Sequence, residues 1–185
     1  MEKINNLIIV AGAGRNVGKT EFVCRLIRRY CHQVDIYALK VSAIHPDEGI
    51  YHGDHSNQQP GTNLVEETRN DLNKDTSRML RAGAQKVYYL QGDDEQIRAG
   101  FQVFKFRIPV GAVTVCESTS LWKFVRPGLL IVVKDPVAEI KPRAMEIVEH
   151  ASLVINSNGV TGFPEIDKIS LSEIAGWFLE PGAIF

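Results

Sequence analysis

The chain is poor in several things. Of its 185 residues only three are cysteine, Cys24, Cys31 and Cys116. Their number is odd and their spacing matches no zinc pattern, so buried free thiols in a reducing compartment are expected rather than a disulfide framework. Net charge is also nearly absent: 21 Lys and Arg stand against 22 Asp and Glu, a formal charge of -1. Bulk electrostatics therefore point away from a nucleic-acid partner and from an anionic membrane surface. No apolar run reaches the 18 or so residues of a membrane span. The first residues, Met1 to Asn6, show no signal-peptide core distinct from the first apolar run. A cytoplasmic protein is the expectation. Internal repeats and low-complexity tracts are missing too. With 44% hydrophobic residues the length suits one domain with a sizeable core, spanning 1–185.

What is present is concentrated in one turn, Ala11-Gly12-Ala13-Gly14-Arg15-Asn16-Val17-Gly18-Lys19-Thr20. The apolar run Leu7-Ile8-Ile9-Val10 precedes it and an amphipathic stretch, Phe22 to Tyr30, follows. Strand, glycine-rich turn, Gly-Lys-Thr and helix is the order of a phosphate-binding loop. Glycines let the backbone curl so that N–H groups converge, and the helix adds its unpaired N–H groups and positive dipole end. On this reading Gly14, Arg15, Asn16, Val17, Gly18, Lys19 and Thr20 bind a nucleotide. Lys19 reaches the β- and γ-phosphates, and the Thr20 hydroxyl helps hold Mg²⁺. Ala13 stands where the common pattern has its first glycine.

The remaining pattern alternates strands and helices, which predicts a mostly parallel sheet covered on both faces. Strands are expected near 5–11, 34–39, 86–90, 111–116, 129–133 and 152–155. Val65 and its neighbours suggest a further short one. Helices are expected near 19–32, 73–82, 142–150 and 171–179, with one of about ten residues starting at Asp93 and ended by Gly100. Gly83 reads as a helix C-cap. Lys40 closes the second strand, at the sheet edge where ligands bind in open α/β folds, and suits a phosphate or an acidic substrate. Glu117 ends an apolar strand, the position from which such enzymes hold Mg²⁺ directly or through water; capping the short helix after it is the other reading. Residues 42–71 read as a long mobile loop, placed for a lid or switch. It contains His45 and His52-Gly53-Asp54-His55. That cluster could bind a metal or simply be polar loop.

With those residues in place the chain resembles the molybdopterin-guanine dinucleotide biosynthesis protein B group of P-loop proteins. The likeness lies in Ile8–Thr20, in Lys74-Asp75-Thr76-Ser77-Arg78 with Ala82-Gly83-Ala84, and in Val115-Cys116-Glu117-Ser118. The wider class includes dethiobiotin synthetase, cobyric acid synthase and the division-site ATPases. The resemblance implies a three-layer P-loop NTPase fold and GTP or ATP in the 14–20 loop. It puts Mg²⁺ near Thr20 and Glu117, with Lys19 and Glu117 as catalytic residues, and turns Lys40 toward phosphate or substrate. A base contact would fall on Asn156. A homodimer and a cofactor-biosynthesis protein are the partners implied, beside the nucleotide. The chain departs from its relatives at Glu21, at Ser118, and at Gly14, where the division-site ATPases carry an extra lysine. No catalytic base or arginine finger stands out, Arg15 being the candidate, so hydrolysis is expected to be slow. Two alternatives remain. One is an ATP-dependent kinase or ligase whose carboxylated acceptor is held by Lys40 and the hydroxyls of Ser118, Thr119 and Ser120. The other is a non-enzymatic nucleotide-binding module.

Overall fold

Apolar strands buried on both faces need helices above and below them, and the computed structural model has that arrangement. It describes residues 1–44, 63–139, 142–157 and 162–181. In chain order the elements are β1 (Glu2–Gly12), α1 (Lys19–Tyr30), β2 (Ile36–Ala43), β3 (Leu64–Glu67), α2 (Asp75–Arg81), β4 (Lys86–Gly92) and α3 (Asp94–Arg107). Then come β5 (Val113–Glu117), β6 (Val125–Lys134), α4 (Pro142–Glu149), β7 (Leu153–Asn156), β8 (Ile169–Ser172) and β9 (Gly176–Leu179). Short 3-10 turns cover Leu121–Lys123 and Pro164–Lys168. The central sheet has seven strands in the order β3-β4-β2-β5-β1-β6-β7, and β8 and β9 form a separate hairpin. Every neighbouring pair in the large sheet is parallel except β3 with β4.

The pleat sorts the core into two layers. Ile8 and Val10 face α1, α2 and the hairpin, together with Phe22, Ile27, Met79 and Trp177. Leu7, Ile9 and Ala11 face the other way, with Phe101 and Phe104 of α3 and Ile147 of α4. This alternation follows from the strand period of two. Helix α1 buries Phe22, Val23, Leu26, Ile27 and Tyr30, the stripe its spacing predicts. Helix α2 ends in a Schellman motif, with Ala84 N–H on Met79 O at 3.3 Å and Gly83 N–H on Leu80 O at 3.0 Å. Gly83 has φ 106°, as a C′ glycine should. Helix α3 opens on a capping box: Asp93 Oδ1 accepts from Gln96 N–H at 2.9 Å and Gln96 Oε1 from Asp93 N–H at 3.0 Å. Cys24 and Cys116 are buried and Cys31 is half-buried. Burial pushes the Cys24 thiol up to about 11 and raises Cys116 as well.

Four expectations need correction. Gly100 does not end α3, which runs on to Arg107. It is the point where the helix presses on β4, since a Cβ there would lie 2.3 Å from Leu90 Cδ1. Gly100→Ala therefore sets an overpacking cost of about 1–3 kcal/mol against a helix-propensity gain of about 1. We expect a net loss of up to about 2 kcal/mol, read from the urea midpoint, and a midpoint that rises would show that Leu90 yields freely.

The predicted last helix, 171–179, is instead the β8–β9 hairpin. Gly176 turns it at φ 70°, so close to β1 that a Cβ would meet Asn5 O at 2.3 Å. Trp177 then packs edge-on against Tyr30, ring centroids 5.2 Å apart. Strand β6 begins at Val125 rather than 129. It carries Pro127 and Gly128 through a register shift against β1 between Ile4 and Ile8. Lys40 is not the end of its strand, because β2 continues to Ala43. Of the expected 42–71 loop, residues 45–62, with all three histidines, lie outside the described residues; Leu64–Glu67 form β3.

Candidate phosphate and cation site

Three adjacent strands set the geometry. In register, Val10 of β1 pairs with Glu117 of β5, and Glu117 pairs with Lys40 of β2. The glycine-rich turn leaves β1 two residues beyond Val10. Helix α1 therefore starts directly over the end of β5. The turn curls through Asn16 at φ 56° and Gly18 at φ 89°. Asparagine and glycine are the residues that adopt that left-handed region most easily. Gly18 is also the N-cap of α1, a 12-residue helix without a side-chain cap hydrogen bond. Lys19 folds back along Gly12, where a Cβ would sit 2.4 Å from its Cδ, and its Nζ donates to Gly14 O at 3.0 Å. Burial lowers the Lys19 ammonium below its usual range, and Glu117 only partly opposes that.

Glu117 is 2% exposed and fully engaged. Its Oε2 accepts from Thr20 Oγ1 at 2.8 Å, and its Oε1 accepts from Lys40 Nζ. Lys40 Nζ donates also to Asp75 Oδ2 at 3.0 Å. For Lys40, burial alone would lower the pKa, but the Glu117 charge and hydrogen bond, with Asp75 behind them, raise it. For Asp75, burial alone would raise the pKa, but Lys40, then the Thr20 hydroxyl, bring it below the carboxylate range. Two carboxylates, one hydroxyl and one ammonium thus form a closed cluster. Above it lies a cavity of about 680 Å³ that runs along the turn from Arg15 to Thr20. Arg15, Lys19, Arg25, Lys40 and Arg78 on its wall outnumber Glu21, Asp75 and Glu117. Glu21 is held by Arg25 at 3.0 Å and Arg78 at 2.8 Å. The remaining excess of positive charge suits a polyanion.

Comparison with protein-family models, with curated proteins and with solved structures found no match to this chain.

The structure brings most of the expected residues together and leaves two groups out. Arg15, Asn16, Gly18, Lys19, Thr20, Lys40 and Glu117 line the cavity, and Gly14 meets Lys19 beside it. Val17 is also on that wall, yet its side chain is 4% exposed and packs into the core. Asn156 is exposed at the end of β7, on the same sheet edge but away from the cavity wall. The hydroxyls expected to face an acceptor are largely spent. Ser118 and Ser120 are buried, and Ser118 Oγ accepts from Leu121 N–H at 3.0 Å and Ser120 N–H at 3.2 Å. Ser118 thus caps the 3-10 turn.

Asp75 and Arg78 were not foreseen as site residues. Their segment stands out in the sequence as part of the family likeness and as a helix start, but its approach to Lys40 depends on how α2 crosses the sheet edge. Among the described residues no cluster of three or more His, Cys, Asp or Glu gathers as a metal centre.

Proposed function

We propose that the chain binds a nucleoside triphosphate, GTP or ATP, with Mg²⁺ in the cavity over the 14–20 turn, as a P-loop protein with slow hydrolysis. One observation carries this reading. Lys19, Thr20, Lys40, Asp75 and Glu117, from the four elements α1, β2, α2 and β5, meet at the start of one helix. That convergence suits a chain of phosphates: N–H groups and a lysine for the oxygens, carboxylates for a counter-ion.

The donor set fits Mg²⁺. Thr20 Oγ1, Glu117 and Asp75 are hard oxygen ligands, and two carboxylates with one hydroxyl leave places for water and phosphate oxygen, the coordination this ion prefers. The ammonium of Lys40 between the two carboxylates supports a cation at that point. Thr20, Glu117 and Asp75 would hold the ion, which would supply charge neutralisation for the phosphates. Lys19 orients the phosphates. Lys40, on the same cavity wall, would supply a second cation for them. Slow turnover is the natural expectation, because Arg25 and Arg78 are tied to Glu21 and Arg15 stands at the rim. Lack of an arginine finger costs about 10³–10⁵-fold in rate.

The motif likeness to molybdopterin-guanine dinucleotide biosynthesis protein B supports an accessory role in cofactor assembly. A second reading is phosphoryl transfer to a small carboxylated acceptor. A neighbouring cavity of about 530 Å³ gives an acceptor room beside the site, since it shares Lys40 and Asp75 with the first and carries Lys74 and Tyr89, while Glu66 and Glu67 on the same wall oppose its carboxylate. Calorimetric titration with ATP and GTP, with Mg²⁺ and with chelator, tests the main reading. Saturable binding that weakens on chelation is expected, and the absence of binding to either nucleotide at millimolar concentration would refute it. Nucleoside diphosphate release that requires an added carboxylate would favour the second reading.

A further inference from the structure

The opposite edge of the sheet holds a cavity that the nucleotide reading does not use. It measures about 680 Å³ and lies between the start of β1, the start of β6, the 3-10 turn at 121–123 and the end of α4. Lys3 and Arg126 stand directly opposite each other in the β1–β6 register. Paired side chains in adjacent strands share a face, and like charges placed so are destabilising. No Asp or Glu is on the cavity wall. Among the described residues neither side chain makes an ion pair or a hydrogen bond; the nearby Lys105 is held by Glu2 at 2.6 Å, and Lys123 faces Asp94 at 3.6 Å. Among the described residues these two exposed cations thus share one strand face, with no carboxylate on the cavity wall.

The rest of the wall is mostly apolar, with Trp122 and His150 as its two aromatic rings. Trp122 is half-buried, tilted at 39° to His150 with ring centroids 5.1 Å apart. Its indole N–H is already given to Thr119 O at 3.1 Å, and His150 Nδ1 lies 2.9 Å from Glu146 O. Trp122 therefore offers a ligand its ring surface rather than a hydrogen bond.

We infer that this cavity binds a small anion carrying a planar ring. Its phosphate or carboxylate lies between Lys3 and Arg126, and its ring lies against Trp122. The arginine fork suits either oxyanion, and the anion removes the repulsion across the strand pair. Lys3 and Gly12 stand nine residues apart on one strand, which separates this cavity from the first by roughly 30 Å. The inference does not rest on the nucleotide reading.

Phenyl phosphate is the probe, followed by tryptophan emission and by calorimetry. The chain has two tryptophans, and Trp177 is 2% exposed in the core. The signal should come from Trp122 and vanish in Trp122→Phe. Saturable binding with Kd on the order of 1 mM is expected, weakened about tenfold or more in Lys3→Gln/Arg126→Gln. Inorganic phosphate should bind more weakly than phenyl phosphate, and Lys19→Ala should bind the probe as the wild type does. The inference falls if binding does not saturate, or if the double variant, shown folded by its unfolding midpoint, binds equally well. It falls equally if Lys19→Ala abolishes binding, since the probe would then occupy the first cavity.

Discussion

Lys19→Ala should lower affinity for the Mg²⁺–nucleotide by about 100-fold while leaving the unfolding midpoint unchanged or higher. The two halves of this expectation come from the same fact. The ammonium is held where burial disfavours its charge, with a backbone carbonyl, Gly14 O at 3.0 Å, as its hydrogen-bonded acceptor. A lysine whose pKa is lowered on folding makes the charged folded state less stable at neutral pH than an ordinary lysine would. Removing it relieves that cost. A phosphate oxygen in the cavity would give the ammonium a charged acceptor, worth more than a neutral carbonyl. Fluorescent-nucleotide displacement and a thermal melt on the same preparation read both quantities. If affinity is unchanged, the 14–20 turn does not hold phosphate and the nucleotide reading fails. If affinity falls together with the midpoint, the variant has lost its fold, and Lys19→Met, which keeps the stem along Gly12, decides between the two.

That prediction uses residues adjacent in the chain, and these were the most legible. Leu7–Val10 forms β1 and Phe22–Tyr30 the buried stripe of α1, because both periods are local. Glu117 was legible for a related reason, since an apolar run that ends in an acid announces a buried strand end. Its meeting with Thr20 and Lys40 is a consequence of strand order, β2-β5-β1, which spacing in one sequence does not encode. Asp75 was lost for the same reason. The last hairpin was misread on different grounds. Leu171, Ile174, Ala175 and Phe178 recur at i, i+3, i+4 and i+7, a helical period. Yet Ile174 is 97% exposed on the turn, and the anchors are Trp177 under Tyr30 and Gly176 against Asn5. Tertiary packing overrode a short periodic pattern. Pro127 and Gly128 hid the first four residues of β6 because both residues usually break strands. Here Gly128 is where β1 comes so close that a Cβ would meet Asn5 O at 2.2 Å.

Removing Glu117 should have a larger effect on stability than any other single change at the site. Its side chain is 2% exposed, and the Lys40 side chain paired with it is 18% exposed. Glu117→Ala leaves the Lys40 ammonium buried with Asp75 alone, and a broken buried pair costs about 3–5 kcal/mol. Lys40→Met leaves the converse fault, a buried carboxylate with Thr20 as its remaining partner. The double variant Lys40→Met/Glu117→Gln removes both charges and should recover most of the loss, since replacing a whole buried pair by uncharged groups is often neutral.

Mg²⁺ then separates structure from function. On the nucleotide reading, Lys40 occupies the place of a counter-ion until phosphate draws it away. Mg²⁺ alone should therefore stabilise the wild type little. It should stabilise Lys40→Met clearly, because Glu117 and Asp75 there lack a cation, and by linkage a ligand at 100 times its Kd adds about 2.7 kcal/mol. Denaturation in urea with and without Mg²⁺ measures all four proteins. Equal Mg²⁺ effects on wild type and Lys40→Met would mean that the two carboxylates form a structural ion pair and no cation site.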